Sequence, residues 1–202
     1  MIEVLKRAIG RPVSRETIEK LEWYVTLLRE ENDRQNLVST GTLERVWHRH
    51  IADSAQLLRY EPRPGCSWID IGSGAGLPGI VLACITEGPV TLVEPRRLRA
   101  DFLHKCVESL NLRALVRCDK VERVEGSFDV ITARAVAALP RLLKISAHLS
   151  TRNTVWALPK GRSGERELAE ALKAWQGSFR VEPSVTDDES FIVVGTEVRA
   201  RK

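Results

Sequence analysis

Ile69-Asp70-Ile71-Gly72-Ser73-Gly74-Ala75-Gly76-Leu77-Pro78-Gly79 is the stretch on which the fold turns. Ser67-Trp68-Ile69-Asp70-Ile71 reads as a short strand that runs straight into glycines. Glycine permits φ > 0 in a turn and lets a ligand approach the backbone. Gly79 to Ile85 reads as a helix, so the turn leads into a helix N-terminus, which favours a negative ligand group. Gly74-Ala75-Gly76-Leu77-Pro78-Gly79 matches the dinucleotide pattern G-x-G-x-x-G, but that pattern should begin where the strand ends. Counted from Gly72, where the strand ends, the run is G-x-G-x-G and Leu77 takes the third glycine's place. No Gly-Lys-Ser/Thr follows, which excludes a P-loop.

Asp70 helps to choose a ligand. An acid at the strand end suits S-adenosylmethionine, whose methionine end carries an ammonium and a sulfonium, better than it suits a pyrophosphate. Glu94 ends the next strand, where a carboxylate can accept hydrogen bonds from both ribose hydroxyls. NAD would place an acid there too, so Glu94 supports an adenosine ligand without discriminating. A methyl-donor site, a dinucleotide site and a purely structural turn all stand at this point, and the residues favour the first. Gly72, Gly74, Leu77 and Glu94 are its candidate contacts. Val121-Glu122 follow the third strand, where folds of this kind grip an adenine ring; a plain surface acid is the other reading of Glu122.

Outward from the turn, strands and helices alternate. Pro89–Glu94, Ala114–Cys118, Phe128–Thr132 and Thr154–Leu158 read as strands. Leu98–Leu110, Leu139–Leu149 and Glu165–Trp175 read as helices, and Phe179–Val181 with Ser190–Val194 as a closing hairpin. Spacings of this kind predict βαβ units, hence an α/β fold with a mainly parallel sheet and helices on both faces. The N-terminal third reads helical. Ser14 is a candidate N-cap, and Ile18, Leu21, Val25 and Leu28 form a buried stripe. Thr42 can cap a second helix carrying Val46, Ile51, Leu57 and Leu58, which Glu61-Pro62-Arg63-Pro64-Gly65 ends. The expected division is a helical extension over 1–65 and a core over 66–202, together one compact unit.

Composition bounds the function. The 202 residues are 43% hydrophobic and 29% charged, which suits one globular domain and neither a disordered nor a fibrous chain. No apolar run approaches the ~20 residues of a membrane span, and the first residues lack the apolar core of a signal peptide, so a cytoplasmic protein with no membrane partner is expected. Cys66, Cys84, Cys106 and Cys118 contain no Cys-x-x-Cys, which argues against zinc and against a redox dithiol. No metal is expected. The net charge is +4, and from Arg96 to Arg123 eight basic residues face four acidic ones. That concentration suits a polyanionic partner, although a solvated surface would look the same.

The end of strand four, Thr132-Ala133-Arg134-Ala135, should face the methyl acceptor. The Asn/Asp-Pro-Pro-aromatic clamp for an adenine amine is absent. So is a Pro-Cys nucleophile for pyrimidine carbon. A ring nitrogen such as guanine N7 has a free lone pair and needs positioning, not a base. A hydroxyl acceptor would want a base, and Lys160 is the one obvious candidate. Arg134 reads equally as a donor or RNA contact and as a salt-bridged structural arginine.

An ordered set of motifs now resembles one family. The pieces are Asn36-Leu37-Val38-Ser39, His50-Ile51-Ala52-Asp53-Ser54, the glycine stretch, Phe128-Asp129-Val130-Ile131-Thr132-Ala133-Arg134-Ala135 and Leu158-Pro159-Lys160-Gly161. The chain resembles the bacterial small-subunit ribosomal RNA methyltransferase G family, also called glucose-inhibited division protein B. The resemblance implies a class I, Rossmann-like methyltransferase fold with a seven-stranded sheet, a C-terminal antiparallel hairpin and an N-terminal helical extension. It implies methyl transfer from S-adenosylmethionine to N7 of a guanine in the decoding-centre loop of 16S rRNA, with the small ribosomal subunit as partner. By motif position the donor contacts include Gly72, Leu77, Val121, Glu122 and Arg134. Lys160, His50 and Arg99 are candidates on the RNA side. His50 is expected to join Asp53 and Ser54 in a cluster tying the extension to the sheet. No residue is assigned as catalytic, and a monomer is expected. The chain departs from the family's usual Asp-Ser after strand two, with Glu94-Pro95-Arg96-Arg97. A donor-binding protein without turnover and a small-molecule methyltransferase are the competing functions.

Overall fold

Mainly apolar stretches of three to six residues form the five parallel strands, and two longer stretches of mixed polarity form the hairpin. They are β1 (Trp68–Ile71), β2 (Val90–Val93), β3 (Ala114–Arg117), β4 (Val130–Thr132), β5 (Val155–Lys160), β6 (Trp175–Pro183) and β7 (Phe191–Ala200). The computed structural model describes residues 2–201. The seven strands lie in one sheet in the order β3-β2-β1-β4-β5-β7-β6. β1 to β5 pair in parallel, and β7 is antiparallel to β5 and to β6. The chain runs outward from β1 to β3 and then returns to β4 beside β1. That reversal leaves a crevice past the carboxyl ends of β1 and β4, the place where open α/β sheets bind ligands.

Pleating sends alternate strand residues to opposite faces. Trp68, Val90 and Leu92 join a core with α2 (Arg15–Gln35), α5 (Gly79–Ile85) and α6 (Arg97–Ser109). Ile69, Ile71 and Val93 join the opposite core with α7 (Leu139–Ser146) and α8 (Gly164–Ala171). Helices therefore cover both faces, as the strand–helix alternation requires.

The N-terminal residues pack into the first of these cores. A short helix α1 (Ile2–Ile9) precedes α2, and Arg59 donates to its last carbonyls, Arg7 O and Ala8 O. Ser14 caps α2 by accepting from Thr17 N. Asn36 ends α2 in the left-handed region at φ 48°, with its N–H on Asn32 O. Asparagine tolerates that conformation. Asn32 Oδ1 accepts from Val38 N and turns the chain toward the next helix.

The single helix expected from Thr42 is not continuous. α3 (Thr40–Leu43), a π-helical turn (Trp47–Ala52), α4 (Asp53–Ala55) and a 3-10 turn (Gln56–Tyr60) replace it. A π turn lengthens the helical repeat locally, and such turns gather at functional sites. The helix expected over Glu165–Trp175 stops at Ala171, because Trp175 already pairs with Ala200 across β6 and β7. The hairpin is correspondingly longer than expected.

Candidate functional site

The glycine turn is built from both neighbouring strands. Gly72, Gly74 and Gly76 all have positive φ, at 68°, 55° and 90°. Ser73 N donates to Val93 O, and Gly74 N donates to Glu94 Oε2 at 3.0 Å. Glu94 Oε1 accepts from Arg96 N at 2.9 Å. Each oxygen of this buried carboxylate thus has one backbone donor and keeps a lone pair for a further one. Arg99 Nη1 lies 3.5 Å from where a Cβ on Gly74 would stand. Gly72, Gly74, Glu94 and Arg99 are therefore brought together. Val121 and Glu122 occupy a 3-10 turn after β3, Val121 buried and Glu122 exposed. Leu77 packs into the core, so its backbone is what it offers a ligand.

Asp70, read from the sequence as an acid facing the ligand, also has a structural partner. It is buried, and its Oδ2 accepts from Gly79 N at 3.0 Å. The reason is local: the first N–H groups of α5 need an acceptor, and the strand end supplies one. Oδ1 has no hydrogen-bond partner. Burial pushes the Asp70 carboxyl up to about 7, against the bond from Gly79 N and the pull of Arg134.

Beyond β4 and β5 opens a cleft of about 610 Å³. The segment 134–138, the end of β5, the π-helical turn and the hairpin loop wall it in. Arg134, Lys160 and His50, named from sequence, all line it. Each cation is met by a carboxylate. Arg134 Nη1 lies 3.2 Å from Asp53 Oδ2, and Arg49 Nη1 lies 2.6 Å from Asp187 Oδ2. Lys160 Nζ lies 2.9 Å from Glu167 Oε2 and donates to Ala137 O at 3.1 Å. Both contacts use Lys160 as a donor, so it braces segment 137–139 rather than standing as a base.

His50 Nε2 pairs with Thr42 Oγ1 at 3.0 Å, and its Nδ1 has no partner. The expected cluster with Asp53 and Ser54 does not form: Ser54 Oγ is also unpartnered, and Asp53 turns to Gln56, Thr186 and Arg134. Burial, then Arg134 and Arg49, lowers the His50 pKa to about 4. The imidazole is neutral at pH 7.

Val136 links the two halves of the site. It lines the cleft, and its Cγ2 sits 2.6 Å from where a Cβ on Gly72 would be. Ala135, just before it, has φ 56°. The glycine turn and the cleft are thus adjoining, with Val136 between them. Sequence reasoning missed Arg49, Gln56, Ser184 and Thr186 as cleft residues. The acidic run Asp187-Asp188-Glu189 was visible as charge, but nothing local says that it folds against Arg49.

A strand order of 3-2-1-4-5-7-6 with β7 reversed, and a glycine turn beside a β2 acid, define an S-adenosylmethionine-dependent methyltransferase fold. A solved methyltransferase of that class from Aquifex aeolicus is similar at TM-score 0.62 and 15% identity, covering 75% of this chain and 92% of that one. The ribosomal protein L11 methylase from Lactobacillus delbrueckii subsp. bulgaricus matches at TM-score 0.58 and 15% identity, over 77% and 80%. Sequence likeness is more particular. Residues 17–189 match the family described as rRNA small subunit methyltransferase G, and the chain belongs to it. A relative of that name from Erythrobacter litoralis is 50% identical over 88% of this chain and 87% of its own length. Another, from Zymomonas mobilis, is 43% identical over 94% and 90%.

The residues present fit S-adenosylmethionine. Gly72 and Gly74 leave the turn without side chains, and Glu94 keeps a lone pair on each oxygen for a diol. Among the described residues no group of three His, Cys, Asp or Glu could hold a metal ion.

Proposed function

We propose that the chain transfers the methyl group of S-adenosylmethionine to N7 of a guanine in the decoding-centre loop of 16S rRNA. The observation that carries this reading is the adjacency of the glycine turn and the cleft across Val136. When bound, S-adenosylmethionine supplies an electrophilic methyl group on a sulfonium. Gly72, Gly74 and the Leu77 backbone hold its methionine end, Glu94 its ribose, and Val121 and Glu122 its adenine. Arg134 stands between donor and acceptor, tied to Asp53.

The cleft takes the guanine. Its cations are each neutralised by a carboxylate, which suits an uncharged base better than a phosphate. N7 carries no proton, so no side chain has to remove one, and none is assigned as catalytic. Positive charge appears on the ring as N7 is methylated, and the paired Arg134–Asp53 and Arg49–Asp187 groups leave the walls with no unpaired cation to oppose it. His50 and Lys160 shape the cleft, and Arg99 meets backbone phosphate on the donor-side rim. The protein works as a monomer in the cytoplasm, with 1–65 as an extension on a 66–202 core, and reads its target in the small ribosomal subunit by shape. Among the described residues no helix is long and apolar enough to cross a membrane.

The test is labelled methyl transfer to small subunits that lack this modification, followed by nucleoside analysis. N7-methylguanosine is the expected product. Donor binding without any label in rRNA would refute the reading in favour of a non-catalytic binder.

A further inference from the structure

Helix α2 reaches the glycine turn and the first turn of α6, the two elements that flank the donor side. Tyr24, fully buried, donates its hydroxyl to Ala75 O at 2.8 Å, inside the glycine turn. Gln35 Nε2 donates to Leu98 O at 3.0 Å, at the start of α6 just beyond Glu94. Eleven residues separate the two, about three helical turns, so both side chains leave the same face of α2. The turn that Tyr24 meets contains three positive-φ glycines, which give it little stiffness of its own. Burial raises the Tyr24 pKa well above the ordinary phenol value.

We propose that α2 is the brace of the donor loops and that Tyr24 is a positioning residue for S-adenosylmethionine. Its hydroxyl fixes the peptide after Ala75, next to Gly74, whose N–H is held by Glu94. Gln35 fixes the first turn of α6, which follows the Glu94 loop, from the same helix. A helix far in sequence from the acceptor strands thereby sets donor affinity. This inference rests on the reading of the glycine turn as the donor site.

Calorimetric binding of S-adenosylhomocysteine to the full chain tests it, with Tyr24→Phe, Gln35→Ala and Tyr60→Phe as variants. Tyr60 donates to Glu182 at 2.8 Å, away from the donor loops, so its loss reports the general cost of one hydroxyl. Tyr24→Phe strands a buried carbonyl and is expected to raise the Kd about tenfold. The KM for donor rises with it, while the KM for small subunits and kcat at saturating donor hold. Tyr60→Phe lowers the melting temperature and leaves the Kd unchanged. Gln35→Ala raises the Kd about threefold, a smaller effect because the bond to Leu98 O is exposed and the other bond it loses, to Glu31 Oε1, lies within α2, and it decides the matter if Tyr24→Phe does not fold. Donor affinity equal to wild type in a folded Tyr24→Phe, or equal shifts in Tyr24→Phe and Tyr60→Phe, overturns the brace alone. Unchanged affinity in Gln35→Ala, when Tyr24→Phe is unfolded, also overturns it. A wild-type chain that binds no donor overturns the donor-site reading and the brace with it.

Discussion

At Asp70 the end of a strand does two jobs in one atom's reach: it finishes β1 and caps α5. Its folded-state pKa of about 7 lies above the unfolded carboxylate value near 3.8. Folding therefore favours the protonated form. The contribution is fully present below about pH 3.8 and is lost as pH rises through 7. Asp70→Asn keeps an acceptor for Gly79 N and cannot ionise. Urea unfolding from pH 4 to pH 8 should show the variant gaining on wild type as pH rises. A pH-independent difference would contradict the burial argument. The glycines sort on the same scale. A Cβ on Gly88 would stand 1.8 Å from Cys66 O, which is backbone and cannot step aside, whereas one on Gly161 meets nothing within 4 Å. Thermal melts should show Gly88→Ala losing roughly 2–4 kcal/mol and Gly161→Ala staying within about 0.5 kcal/mol. The sequence made Gly72, Gly74 and Glu94 legible because strand-end position fixes what they face. It did not reveal the His50–Thr42 pair, since the expected partners of His50 lay closer along the chain.

Between elements, the N-terminal segment and the hairpin clasp each other across the cleft. Gln56 is nearly fully buried and holds Ser184 Oγ and Val185 N of the hairpin as well as Asp53. Arg49–Asp187 and Asp53–Thr186 lie beside it. Gln56→Leu keeps the volume and strands those partners, so it should cost about 2–3 kcal/mol in urea unfolding. Donor affinity should hold, because Gln56 touches neither donor loop. Strands were legible at this scale: apolar runs between glycines and prolines have few other fates in a chain this long. The break-up of the 42–60 helix was not. A π turn leaves no mark in a hydrophobic period, and the ion pair that ties it to the hairpin, Arg49–Asp187, spans 138 residues. The extra length of β6 was hidden for a similar reason. Trp175 and Gln176 suit a helix locally, and pairing with β7 overrides them.

For the whole molecule, charge separates the two ligands. Arg96 lies exposed on the donor-side rim, while the cations inside the cleft are paired. RNA binding that neutralises phosphates releases counterions, so affinity for small subunits should fall steeply with salt while donor affinity barely moves. Arg99→Ala should reduce the log–log salt slope by about one and leave the modified nucleotide unchanged. An unaltered slope would take Arg99 out of the RNA interface.

The central claim is one reaction at one base. N7 methylation leaves a cationic ring whose glycosidic bond is labile after reduction, so borohydride and aniline cut the strand there. Small subunits lacking this modification should be treated with enzyme and S-adenosylmethionine, cleaved in this way and read by primer extension. A single new stop at a guanine of the decoding-centre loop, absent without enzyme, is the predicted result. A stop elsewhere, or methyl incorporation with no stop, would contradict the account.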